Sequence, residues 1–171
     1  MSMSLEKIIS SLSIENVNLR SSNIKIGDDI NSLNFESFEK KSQYYKGIAR
    51  MDTITLVNKD DENEEAYVYL FHYAVGVRIL KKEFEVKDEK NIDDGLLQLI
   101  EAEFGAEYSS NVLISEKELE LFAKNNVGYH VWPFWREFVQ STCARMNVPI
   151  KDVPFYDFGE SDLPDESENE K

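Results

Sequence analysis

Between Ala66 and Leu80 every odd-numbered position carries a large apolar side chain: Tyr67, Tyr69, Phe71, Tyr73, Val75, Val77 and Ile79. A period of two belongs to a strand whose side chains alternate between faces, so this stretch predicts a long β-strand with one face that must be covered. Nothing upstream interrupts a ladder, because all four prolines (Pro133, Pro149, Pro154 and Pro164) lie beyond residue 132. The expected partner is Tyr44 to Val57, joined through the polar loop Asn58 to Glu65 as an antiparallel hairpin. A further strand is expected over Asn16 to Ile26, where Val17 and Leu19 alternate with Asn16, Asn18 and Arg20.

Leu96 to Tyr108 alternates as clearly. Ile100, Ala102, Phe104, Ala106 and Tyr108 share one face, and Glu101, Glu103 and Glu107 share the other. This is the pattern of a half-buried strand with an acidic outer face. Such a row keeps a sheet soluble, and it also offers a docking surface for a basic partner.

After the strands the period changes. Ser115 followed by Glu118 is a capping-box pattern ahead of Leu119, Leu121, Phe122 and Ala123, so a helix begins there and is expected to end at Asn125 and Asn126. A crossover over Val127 to Trp132 then leads to Pro133, read as the first residue of a second, longer helix ending near Met146. Trp135, Val139, Thr142 and Met146 form its apolar stripe, and Asn147 and Pro149 stop it. Strands followed by helix predict an α+β fold, a four-stranded antiparallel sheet with a long helix in the C-terminal half packed on one face.

Charge narrows the partners. The chain of 171 residues has 33 acidic and 19 basic side chains, a net charge of 14 negative. Phosphate backbones and anionic membrane surfaces reward clustered Lys and Arg, so neither nucleic acid nor membrane is an expected partner. Residues 157–171 hold seven acids and one Lys, six of the 14 net charges, and read as a disordered acidic tail. With 42% hydrophobic residues, including 10 Phe, 8 Tyr and 2 Trp, the remainder has ample apolar surface for one core. A single cysteine, Cys143, excludes an internal disulfide and a clustered thiolate zinc site. No signal-peptide pattern or membrane-length apolar run is present, so a cytoplasmic protein is expected.

Catalytic candidates are sparse. His72 falls on the even face of its strand and is expected at the surface or in a subunit contact. His130 falls in the crossover, and Cys143 is expected as a small core residue. A Cys143–His130 nucleophile pair would require the chain to fold back past Pro133. With no Gly-rich phosphate loop, HExxH or EF-hand spacing, no cofactor, metal or enzymatic activity is expected. The aromatic cluster of Tyr129, Trp132, Phe134 and Trp135 around Pro133 is the stronger lead, since aromatics on connecting segments commonly line grooves.

From Val131 to Phe158 the sequence resembles the SecB export chaperone family. The likeness lies in the aromatic-Pro-aromatic start at Trp132, Pro133 and Phe134, then Arg136-Glu137, Ser141-Thr142, Arg145 and the exit at Pro149. It extends more weakly over residues 13–158, giving a SecB-like domain over 1–158 and a tail over 159–171. The resemblance implies a homotetramer, a dimer of dimers, that holds unfolded preproteins in apolar grooves for export, with no active site. It places client binding at Tyr129, Val131, Trp132, Phe134 and Phe138. It also places docking of the translocation ATPase SecA on the acidic face of Glu101, Glu103 and Glu107, although Asn16 and Arg20 stand where further acids would be expected. The family's second helix after the Pro-containing exit is not apparent in this sequence. Some SecB-like chaperones guard antitoxins, so a chaperone or adaptor dedicated to one partner protein is the alternative.

Overall fold

The computed structural model describes residues 3–57, 65–86, 92–149 and 152–157. Four strands, β1 (Ser13–Ile26), β2 (Lys40–Val57), β3 (Glu65–Lys81) and β4 (Leu96–Ser110), form one sheet in the order β1-β4-β3-β2. Every neighbouring pair is antiparallel. Two short helices, α1 (Leu5–Ser11) and α2 (Ile92–Gly95), precede β1 and β4, and α3 (Glu116–Met146) follows the sheet. The loop expected over residues 58–65 lies, except for Glu65, outside the described residues, as does the proposed tail over 159–171.

The alternation of β3 is realised in full, with all seven odd positions from Tyr67 to Ile79 buried. On β4, Ile100, Ala102, Phe104, Ala106 and Tyr108 are buried on the same face of the sheet, opposite their β3 partners. Helix α3 covers this face with Leu119, Phe122, Ala123, Val127, Val131, Trp135, Val139 and Cys143, an i, i+3/i+4 stripe. Each large apolar side chain so buried contributes about 1.5–3 kcal/mol.

One correction concerns the helix. Residues 116–146 form a single helix of 31 residues with Pro133 inside it, not two helices joined by a crossover. A proline there removes one helical hydrogen bond, the one to the carbonyl of Tyr129. The buried stripe on both sides of Pro133 supplies the packing that keeps the rod continuous.

The helix ends follow the sequence. The Glu118 carboxylate accepts from the N–H of Ser115 at 3.0 Å and from its hydroxyl at 2.7 Å, completing the capping box. It also accepts from the N–H of Met3 at 2.5 Å, which ties the start of α1 to α3. Asn147 closes the C-terminus in the left-handed region, at φ 54°.

On the opposite face of the sheet, where Glu101, Glu103 and Glu107 lie along with the exposed Ile54 and Leu56, one residue departs from expectation. His72 is not a surface residue: it is 3% exposed. Its Nδ1 lies 2.8 Å from Glu103, and its Nε2 lies 3.1 Å from Asp52 and 2.9 Å from Arg50. A register shift between Ile48 and Arg50 turns Arg50 and Asp52 onto this face, which is why a strand-local pattern conceals the network.

Candidate functional site

The five residues singled out as client contacts divide among three environments, because α3 is continuous. At 3.6 residues per turn, two positions along a helix are roughly 200° apart. Trp132 and Phe134 therefore stand on opposite flanks. Phe134 is exposed, and Phe138 on the same flank meets Phe104 of β4 edge-on at 6.2 Å and stacks on Trp135. Val131 is fully buried between helix and sheet, so it belongs to the core and presents no surface to a ligand.

Tyr129 and Trp132 stand on the flank toward β2, beside two adjoining hollows. One, of about 470 Å³, is walled by Tyr44, Lys46 and Val75 of the sheet and by Trp132 and Trp135 of the helix. The other, of about 490 Å³, runs over Tyr129, Trp132, Pro133, Arg136 and Gln140. The chain from Asp152 to Asp157 lies between them, without helix or strand structure.

Side chains of α3 and β2 hold this segment by its main chain. Trp132 Nε1 donates to the Pro154 carbonyl at 2.8 Å, Arg136 Nε to the Val153 carbonyl at 3.1 Å, and Lys46 Nζ to the Asp157 carbonyl at 3.1 Å. The Val153 side chain is buried against the core. The Tyr156 ring meets Trp132 at 5.5 Å and Tyr129 at 6.3 Å, with Lys46 over its face at 4.6 Å. Arg136 lies 4.6 Å over Phe155, whose ring is 82% exposed. Trp132 and Tyr129 are foreseeable from the aromatic cluster. Lys46, Arg136 and Tyr156 are not, although the run Val153-Pro154-Phe155-Tyr156 is a visible apolar signal next to the acidic end of the chain.

The other candidates resolve differently. His130 and Cys143 are 13 residues apart on one helix, roughly 20 Å along its axis, so they form no pair. His130 Nδ1 lies 2.8 Å from the Tyr108 hydroxyl, and the Cys143 sulfur accepts from Gln98 at 3.4 Å. Burial pushes the Tyr108 phenol up and the His130 imidazole down. No group of described His, Cys, Asp and Glu residues is arranged to hold a metal ion. No helix among the described residues is long and apolar enough to cross a membrane.

The acidic row is real but engaged. Glu107 accepts from Asn18 at 3.3 Å, Glu101 from Asn23 at 2.9 Å, and Glu103 meets His72. Tyr45, lying flat where Gly76 has no Cβ to obstruct its ring, is pushed up to about 12 by burial and then by the charge of Glu101. All three carboxylates are half-buried in the middle of the open face.

The four-stranded antiparallel sheet backed by a long helix is the fold of SecB-like chaperones. It is similar to that of the Mycobacterium tuberculosis Rv1957 SecB-like chaperone, solved in complex with a ChAD peptide from the Rv1956 HigA1 antitoxin. The two share 14% identity at a TM-score of 0.56, over 89% of this chain and 95% of that one. No family model and no curated protein sequence matches the chain.

Proposed function

We propose that this chain is a SecB-like chaperone that holds an extended polypeptide segment in the trough between β2 and α3, and that its client is a dedicated partner protein. The observation that carries the reading is the set of side-chain donors, Trp132 Nε1, Arg136 Nε and Lys46 Nζ, aimed at main-chain carbonyls in a trough walled by aromatics. Donors that bind carbonyls grip any extended chain, and the rings around them supply apolar area at little entropic cost. Tyr129 and Trp132 are the proposed client contacts on this flank. Phe134 and Phe138 extend the apolar surface on the other flank, and Val131 acts from beneath by holding the helix to the sheet.

A dedicated client draws support from the neighbouring fold, which was solved with an antitoxin peptide. Export of unfolded preproteins, with SecA docking on Glu101, Glu103 and Glu107, is the second reading. It is favoured by the partial exposure of that row and weakened by the Asn18, Asn23, His72 and Tyr45 contacts that already engage it. Assembly into a homotetramer fits the apolar side chains Ile14, Leu19 and Ile24, each nearly half exposed on the edge strand β1. Capture from a lysate separates the two readings. One stoichiometric partner, released by excess peptide cut from that partner, supports the dedicated chaperone, and a broad set of unfolded precursors supports export.

A further inference from the structure

The segment from Asp152 to Asp157 is held the way a ligand is held. Its carbonyls at 153, 154 and 157 accept from side chains of other elements. Val153 fills a buried slot beside Val75 and Trp135, and Tyr156 closes over Trp132, Tyr129 and Lys46. Pro154 suits this role because it has no N–H to leave unpaired, and because it biases Val153 toward the extended conformation that the slot requires. Phe155 points out, yet its ring still carries the Arg136 guanidinium.

We propose that the trough recognises extended peptides of the pattern aliphatic, Pro, aromatic, aromatic, and that Val153-Pro154-Phe155-Tyr156 is its resident occupant, which a client displaces. The identity of the trough as the client site rests on the function proposed above; the pattern and the competition rest on the seating of this segment. A tethered occupant competes at an effective concentration of order mM. A free peptide therefore sees only the fraction of molecules whose segment has left, and its apparent affinity falls by that fraction. The side-chain donors to carbonyls tolerate many sequences, whereas the Val153 slot and the Tyr156 ring cluster select.

The test uses the full chain and a fluorescein-labelled peptide of sequence Asp-Val-Pro-Phe-Tyr-Asp, followed by anisotropy. Val153→Asp cannot seat a charge in the buried slot, so it should bind the peptide at least about tenfold more tightly than the unaltered chain. Phe155→Ala loses only the exposed ring over Arg136 and should bind about threefold more tightly. Adding Trp132→Ala should erase either gain, and a scrambled peptide should show none. Equal affinity for the unaltered chain and the folded variants, or an equal gain for the scrambled peptide, would overturn the proposal. Should Val153→Asp fail to fold, Phe155→Ala decides by the same criterion. Suppression of client aggregation, measured on the unaltered chain, separates the two levels. Suppression without any gain in peptide binding removes this inference alone, and a gain without suppression removes the chaperone reading alone.

Discussion

The indole N–H of Trp132 donates to the carbonyl oxygen of Pro154 across 2.8 Å, joining the middle of the long helix to the segment that follows its end. Trp132→Phe keeps an aromatic ring and removes the donor. A net loss of about 0.5–1.5 kcal/mol is expected for one such bond, corresponding to roughly twofold to tenfold more open segment. Chymotryptic cleavage at Phe155 and Tyr156 should accelerate by that factor. An unchanged cleavage rate would contradict the anchoring role.

Pro133 sits inside a continuous helix. Interior proline is unfavourable by about 3 kcal/mol relative to alanine, so Pro133→Ala should raise the unfolding free energy by up to that amount where the site has not adapted around the ring, seen as a higher urea midpoint. A proline opening a separate second helix would behave differently, since the first helical position favours it. A lowered midpoint would therefore contradict the single rod.

Tyr108 and His130 form a pH-sensitive pair. Burial keeps the Tyr108 hydroxyl protonated, and it shares a 2.8 Å hydrogen bond with Nδ1 of His130. Burial also lowers the His130 pKa in the folded chain. The unfolded chain takes up this proton near the ordinary histidine value of about 6.5, so stability is fully present above that pH and declines as pH falls toward the folded value. Urea midpoints at about pH 7.5 and about pH 5.5 should differ more for the unaltered chain than for His130→Gln. Equal differences would show that His130 carries none of the effect.

These relationships mark where local sequence pattern stops being informative. The period-two rows of β3 and β4 are legible because a half-buried strand forces every second residue inward, whatever its neighbours. The capping box of α3 is legible because Ser115 and Glu118 satisfy donors within one turn. The continuity of α3 is not, because Pro133 reads as a start signal and only the sheet-facing stripe from Val127 to Val139 outweighs it. Helix α1 is too short for periodicity to separate from a loop, and it is held by Met3 against Glu118, a contact 115 residues distant. The His72 network depends on a register shift in β2, and the trough depends on Lys46 meeting Asp157 across the fold. Both are tertiary facts with no local signature.

Edge strand β1 predicts assembly. Ile14, Leu19 and Ile24 are each nearly half exposed. Light scattering coupled to size exclusion should give a mass of about four chains of 19.8 kDa, and Leu19→Asp combined with Ile24→Asp should reduce it. A single-chain mass for the unaltered protein would contradict a shared apolar edge.

The proposed function places unfolded polypeptide in the trough beside Trp132. Its most direct test is the light scattering of a chemically denatured client protein diluted into buffer with and without this chain. Delayed and reduced scattering is expected at stoichiometric amounts, with the protection weakened by Trp132→Ala while the oligomeric mass is unchanged. Scattering identical with and without the chain would contradict it.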